Sequence, residues 1–149
     1  MTIQLDDHVI HELHYDEIKQ VLKDEPFASF LGMKLTKLGL GTAEAELIPD
    51  DRMLNAHGTV HGAIIFSLAD YVFAAASNSY GKTAVGVTTN VNFISAGNRG
   101  ETLTAKAKEI KKNHKLAWYK IDVQNENELI ATMEAMVYRK SHYFVNQDK

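Results

Sequence analysis

The feature that most constrains the fold is an apolar run from Gly62 to Ser79 that contains one charged residue, Asp70. The run is apolar at almost every position around a helical turn, a pattern that indicates a helix buried on most of its surface. A carboxylate in such a helix is costly unless it is paired, protonated or placed beside a cavity. The sequence therefore predicts a long central helix whose acid has either a structural partner or a chemical task.

Composition limits what this helix can belong to. The 149 residues suit one domain with a proper core, and the net charge of −3 predicts no nucleic-acid or anionic-membrane partner. The absence of cysteine excludes disulfides, thiolate metal sites and a cysteine nucleophile. The first residues lack the features of a signal peptide, and the longest apolar run is too short for a membrane span. We therefore expect a cytoplasmic protein.

The segment before the long helix predicts both helix and strand. Residues 7–24 have helical periodicity that ends before Pro26, and His8, His11 and His14 are expected on a solvated helix face rather than at a metal site. Alternating residues in 33–48 predict a strand with a bend at the Gly39-x-Gly41 step.

After the long helix the periodicity changes to two. Four strands are predicted, at 85–93, 103–107, 117–123 and 131–137, and their short connections favour antiparallel hairpins. The simplest arrangement is an α+β fold in which a curved antiparallel sheet wraps around one long central helix. On this interpretation the chain consists of an N-terminal helical segment at 1–26, a main domain at 27–140 and a frayed tail at 141–149. One sheet covers one side of such a helix, so we expect a second subunit to cover more.

The helix offers two chemically useful groups, and their separation matters. Its first N–H groups, at Gly62 and Ala63, are unpaired and lie at the positive end of the helix dipole, which suits an oxyanion. Asp70 lies about 12 Å further along the same axis, too far to act on a carbonyl held at that end. Both groups can act on one bond only if Asp70 comes from a second subunit, with two helices antiparallel about a two-fold axis.

Each of these residues also has a structural alternative. Asp70 could be in a salt bridge, although the neighbouring helix turns offer no cation. His61 could serve only to cap the helix, and Asn55 could be a turn residue. Gly58 and Gly62 could simply permit a tight backbone.

The segment 55–70 resembles the signature of the hotdog-fold acyl-CoA thioesterases. The matching residues run from Asn55 through Gly58-Thr59 and His61-Gly62 to Asp70, and they are most similar to the phenylacetic-acid-degradation type. The likeness continues through the strand at 87–93 and covers roughly residues 27–140.

This resemblance implies a hotdog fold and a set of roles. Asp70 would be the general base or the nucleophile, and the Gly62 N–H would form the oxyanion hole. His61 and Asn55 would position the thioester or the water, and Thr88 would help to place the water. The chain departs from the usual Gly-Gly after the histidine by having Ala63, whose methyl group would narrow the pocket near the acyl group.

The resemblance also implies partners. The family needs no metal or prosthetic group, so no cofactor is expected, and it typically assembles as a dimer of dimers. We expect an acyl-CoA substrate and a homodimer or homotetramer, with no nucleic acid and no membrane. Asn92 and Phe93 are candidates for substrate contact, although Phe93 could equally belong to the core. Lys111 and Lys112 are candidates for binding the CoA phosphates, with a solvated strand face as the alternative.

Two other functions are considered on the same fold. A dehydratase or hydratase would need its own acid/base pair, and residues 27–140 contain neither a Pro-rich histidine loop nor an Asp-x4-His spacing. A non-catalytic acyl-CoA-binding regulator could dispense with Asp70. Hydrolysis of thioesters by the purified protein separates these alternatives.

Overall fold

In the computed structural model, which describes residues 6–146, three short helices precede a sheet that packs on one long helix. The elements are α1 (Asp7–Leu13), α2 (Tyr15–Lys23), α3 (Pro26–Leu31), β1 (Lys34–Gly39), β2 (Thr42–Leu47), a 3-10 turn (Asp51–Met53), α4 (Gly62–Ser77), β3 (Lys82–Phe93), β4 (Leu103–Lys112), β5 (Leu116–Gln124) and β6 (Leu129–Tyr143).

The six strands form one antiparallel sheet in the order β1-β2-β4-β5-β6-β3. The strand that follows the long helix in sequence, β3, therefore lies at an edge of the sheet. One face of the sheet packs against α4, and the predicted alternation places the alanines of β4, Ala105 and Ala107, on that buried face. The predicted arrangement of an antiparallel sheet on a central helix is confirmed.

The core lies between α4 and the sheet. Leu68 and Val72 on α4 are fully buried with Ile121 and Met133 from the central strands. A buried aliphatic side chain of this size stabilises the fold by about 1.5–3 kcal/mol relative to exposure. This packing fixes the orientation of α4, and with it the direction in which the remaining helix positions point.

The N-terminal helices belong to the same core, because Ile10 and Ile18 are fully buried in it. The predicted helix at 7–24 is broken at His14 into α1 and α2. The expectation that the histidines share a solvated face is wrong for His11, which is buried with its Nδ1 2.6 Å from the carbonyl oxygen of Ser79. A polar side chain is buried here because this contact satisfies it.

Two further segments differ from expectation. The predicted strand at 33–48 is a hairpin, in which β1 and β2 pair through a turn where Gly41 has a φ of +66°. Strand β6 extends to Tyr143, into the segment predicted as a tail, and Val145 is buried. Residues 1–5 of the predicted N-terminal segment and 147–149 of the predicted tail lie outside the described residues.

Candidate active site

The first turn of α4 presents a free backbone donor. His61 precedes the helix in extended conformation, and its Nδ1 accepts a hydrogen bond of 2.9 Å from the Ala63 N–H. The capping role that the sequence left open for His61 is therefore observed. Within residues 6–146, the Gly62 N–H makes no hydrogen bond. Gly62 is left with an unpaired donor at the positive end of the helix.

The loop before α4 is held closed by Asn55. Its Oδ1 accepts from the backbone N–H groups of His57 at 2.9 Å and Thr59 at 3.2 Å, and its Nδ2 donates to Thr59 Oγ1 at 2.9 Å. The His61 N–H donates to the Met53 carbonyl at 2.8 Å, which fixes the entry of the chain into the helix. Asn55 thus has the turn role that was one of its two alternatives.

Asp70 lies on the face of α4 that the sheet does not cover. It is exposed in the single subunit, as is Ala63, with Ser67 half-buried between them along the same helix face. Asp70 is exposed because the apolar residues of α4 are more numerous than one sheet can cover. Asp70 makes no ion pair with any residue in 6–146. The salt-bridge alternative therefore has no support.

The surroundings of Asp70 disfavour its charged form. Although the side chain reaches solvent, neighbouring atoms displace part of its hydration, and this desolvation raises the pKa of Asp70 above the ordinary aspartate value. Glu25, which precedes α3, has its pKa raised by burial and then by the negative charge of Asp70. Tyr71 links α4 to the end of α2, shortly before Glu25, because its hydroxyl donates to the Leu22 carbonyl at 2.8 Å. Sequence reasoning did not identify Glu25, since no motif links it to α4.

Phe93 contacts the start of α4 from the end of β3. Its ring atoms lie 3.3 Å from the point that a Cβ at Gly62 would occupy, while 54% of the side chain remains exposed. Phe93 is therefore brought to the predicted site. Its neighbour Asn92 pairs with Thr132, and by strand alternation its side chain is on the opposite face of the sheet.

Thr88 lies on the same outer face as Asn92. Its pairing partner is Met136, and it lines a surface cavity of about 320 Å³ with Asn90 and Trp118. Its neighbour Thr89 pairs with Ala135, which lies on the face that packs against α4. The geometry of one subunit thus gives no support to the predicted role of Thr88.

The two candidate phosphate-binding lysines point in different directions. Lys111 is exposed and pairs with Trp118 across the sheet. Lys112 forms an ion pair with Asp7, with 2.5 Å between its Nζ and the carboxylate. The same ammonium group lies 4.0 Å from the centre of the Tyr80 ring. Tyr80 follows the C-terminal end of α4, so Lys112 is remote along the helix from Gly62 within one subunit.

Among the described residues, no group of histidine and acidic side chains is arranged to hold a metal ion. None of the helices in residues 6–146 combines the length and apolar character needed to cross a membrane.

Comparison with known proteins identifies the class. Residues 57–132 match the Thioesterase superfamily, and this segment contains all of α4 with Asp70, the strands β3, β4 and β5, and the start of β6. The chain belongs to this superfamily and has the hotdog fold.

Individual relatives narrow the class to the PaaI type. The acyl-coenzyme A thioesterase PaaI of Escherichia coli is 32% identical over 120 residues, covering 80% of this chain and 84% of that protein. A protein of Archaeoglobus fulgidus provisionally named an esterase is 39% identical over 127 residues, covering 85% of this chain and 79% of its own length. The solved structure of the E. coli PaaI protein, from the phenylacetic acid degradation operon, superposes with a TM-score of 0.84 at 27% identity, covering 90% of this chain and 98% of that one.

Proposed function

We propose that this protein hydrolyses acyl-CoA thioesters, releasing the free acid and CoA, with Asp70 as the catalytic carboxylate and the Gly62 N–H as the oxyanion donor. The observation that carries the proposal is the pairing, on one helix, of an unsatisfied N–H at its positive end with an unpaired carboxyl on its open face. The similarity to E. coli PaaI, which is named an acyl-coenzyme A thioesterase, supports the choice of substrate class.

In the general-base route, Asp70 removes a proton from water as the water oxygen attacks the thioester carbonyl carbon. The carbonyl oxygen becomes an oxyanion, which the Gly62 N–H stabilises by a hydrogen bond directed at the developing charge. When the intermediate collapses, the carbon–sulfur bond breaks and the CoA thiolate takes the proton from Asp70. His61 and Asn55 act indirectly here, because their hydrogen bonds fix the loop and the first helical turn.

In the nucleophilic route, the Asp70 carboxylate attacks the carbonyl carbon and CoA leaves as the thiolate, forming a mixed anhydride. Water then cleaves the anhydride and regenerates the carboxylate. Both routes need the same two groups on opposite sides of one carbonyl, so both impose the same geometric requirement.

That requirement supports a site shared between two subunits. Eight residues of helix separate Gly62 from Asp70 by about 12 Å along the axis, which is too far for one chain to supply both groups. Strand β3 is an edge strand, and its side chains include the exposed hydrophobic residues Val85, Val87 and Phe93. An edge of this length with apolar side chains favours pairing with another strand. Two copies joined along β3 about a two-fold axis would bring the open faces of the two α4 helices together.

The decisive variant is Asp70→Asn, which keeps the shape of the side chain and removes its basicity. We expect kcat for acyl-CoA hydrolysis to fall by about 10²–10⁴-fold, the usual contribution of a general base, or by more for a nucleophile. The melting temperature should stay the same or rise, since desolvation in the folded state raises the pKa of Asp70 and so disfavours its charge. Asp16→Asn on the exposed face of α2 is the matched control, with unchanged kcat.

A panel from short-chain to aryl-acetyl CoA thioesters, assayed by release of free CoA, tests the activity itself. Binding of acyl-CoA without release of CoA across the panel would contradict the proposal and favour a regulatory binding protein. A parallel loss of activity and melting temperature in Asp70→Asn would assign the residue a structural role.

A further inference from the structure

A second cavity lies at the other end of the sheet, beside an irregularity in β6. Lys82 pairs with Tyr143 and Ala84 pairs with Arg139, so three residues of β6 stand opposite the single residue Thr83. Bulges of this kind redirect side chains and are frequent beside functional sites. The cavity between this bulge and the β4–β5 turn has a volume of about 280 Å³ and is lined by Lys82, His114, Lys115, Tyr138, Arg139, Lys140, Ser141 and His142.

The charge of this cavity is opposite to that of the whole protein. Among its lining residues within 6–146, four are lysine or arginine and none is acidic, whereas the chain has a net charge of −3. Serine and tyrosine hydroxyls at Ser141 and Tyr138 add neutral hydrogen-bond donors. Cationic and hydroxyl donors around a concave surface are the groups that bind phosphate.

Lys82 is the unusual member of the group. Only 5% of it is exposed, and within residues 6–146 its ammonium group makes no hydrogen bond and no ion pair. The Lys82 Nζ lies 5.9 Å from the centre of the Tyr143 ring, which is a long cation–π distance. Burying an ammonium group without a counter-charge costs free energy. Desolvation, followed by the nearby charge of Arg139, lowers the pKa of Lys82, and the negative charge of Asp7 offsets only part of this effect.

In the part of the chain that the structure describes, the carboxylate close to this cluster is that of Asp7, and two other cations already bind it. Asp7 accepts from Arg139 Nη2 at 2.8 Å and from Lys112 Nζ at 2.5 Å, so two cations share its single charge. Arg139 is only 6% exposed and also donates to the Asn113 carbonyl at 3.1 Å, which holds its guanidinium in place. The cluster therefore keeps an excess of positive charge in a fixed arrangement.

We propose that this cavity binds a phosphate group, either inorganic phosphate or the phosphate of a phosphomonoester, with Lys82 as the buried counter-charge and Lys115 and Lys140 at the rim. The volume is slightly below the ~300–1,000 Å³ of pockets that enclose whole drug-sized ligands, so it suits one anionic group. A bound dianion would add a counter-charge beside Lys82, for which Asp7 acts only at a distance because it is paired with Lys112 and Arg139.

The first experiment is calorimetric titration of the purified protein with inorganic phosphate at constant ionic strength. We expect binding to the wild type and a loss of at least tenfold in affinity in Lys82→Met. Lys140→Ala, at the exposed rim, is the second variant and should lose affinity without loss of melting temperature. Lys120→Met, an exposed lysine of β5 outside the cavity, is the matched control and should bind as the wild type. This titration needs no thioester, so its outcome is independent of the proposed hydrolytic activity.

A second titration identifies the source of the phosphate. If the cavity takes the 3′-phosphate of CoA, the wild type binds CoA more tightly than dephospho-CoA, and Lys82→Met removes that preference. If it takes free phosphate, inorganic phosphate binds without competing with CoA. The proposal is overturned if Lys82→Met and Lys140→Ala remain folded and change neither phosphate affinity nor the preference for CoA over dephospho-CoA.

Discussion

Glu25 and Asp70 form an interacting pair of carboxyl groups, although one precedes α3 and the other lies in the middle of α4. Burial and then the negative charge of Asp70 raise the pKa of Glu25, and desolvation raises the pKa of Asp70 itself. The hydrogen bond from the Tyr71 hydroxyl to the Leu22 carbonyl holds the two segments together. A second acid therefore lies beside the group to which we assign the proton transfer.

Removing the charge of Asp70 should lower the pKa of Glu25. The variant Asp70→Asn removes the repulsion between the two carboxylates, so that burial alone raises the pKa of Glu25. The measurement is an NMR titration of the Glu25 side-chain carboxyl in wild type and variant, with Asp16→Asn as the control. An identical Glu25 titration curve in the two proteins would show that the carboxyl groups do not interact.

The pH dependence of hydrolysis should follow the raised pKa of Asp70. The base must be ionised, so kcat/KM should fall on the acid side with an apparent pKa above the ordinary aspartate value of about 3.9. The contribution of Asp70 to the free energy of unfolding changes with pH in the opposite direction to its contribution to activity. Because the folded state holds this proton more tightly than the unfolded state, the contribution of Asp70 is largest at acid pH and declines as pH rises through the raised pKa.

Urea unfolding at pH 4 and pH 7 checks this stability prediction. The free energy of unfolding of Asp70→Asn, relative to wild type, should increase from the lower to the higher pH. A decrease would mean that the ionised carboxylate stabilises the fold.

Two variants of Gly62 distinguish the effect of losing its N–H from the effect of crowding by an added side chain. Gly62→Pro removes the N–H, and proline is well tolerated at the first position of a helix. Gly62→Ala keeps the N–H but places a Cβ at the same point, 3.3 Å from the Phe93 ring. We expect Gly62→Pro to lower kcat by about 10²–10³-fold, the typical effect of losing one oxyanion donor. Gly62→Ala should retain most of the activity, and equal losses in the two variants would assign the effect to crowding against Phe93.

The sequence predicted the parts of the fold that depend on local periodicity. The long helix, the four strands after it and the antiparallel pairing all follow from residue spacing, and the structure confirms them. The motif around His61 and Gly62 also predicted the helix start, because capping chemistry is local.

Features that depend on contacts between distant segments were not predictable in this way. His11 is buried because it meets the Ser79 carbonyl across the fold. Glu25 is affected by the charge of Asp70 because the end of α2 contacts α4, where the Tyr71 hydroxyl donates to the Leu22 carbonyl. The exposure of Asp70 has a different cause: helix periodicity indicates that a surface will be covered, but not whether the same chain or another chain covers it.

Two adjacent threonines on β3 test which face of that strand contributes to catalysis. Within one subunit, Thr89 is on the side of α4 and Thr88 is on the outer side. Each is replaced by valine, which keeps the shape and the strand propensity and removes the hydroxyl. If the site uses the face seen in one subunit, Thr89→Val lowers kcat and Thr88→Val does not. The reverse result would mean that Thr88 reaches the site through the partner, in agreement with the role implied by the family resemblance.

Complementation between two inactive chains tests whether the site is shared. Asp70→Asn keeps a working helix start, and Gly62→Pro keeps a working carboxylate, so a mixed dimer has one site with both groups intact and one with neither. Co-expression of the two chains in equal amounts should form mixed dimers in half of the population and restore about a quarter of wild-type activity. Co-expression of two differently tagged Asp70→Asn chains is the control and should remain inactive. If each site were built within one chain, no mixture could contain a complete site. An isolated mixed dimer without activity would therefore contradict the shared site, whereas the 12 Å between Gly62 and Asp70 on one helix predicts that activity returns.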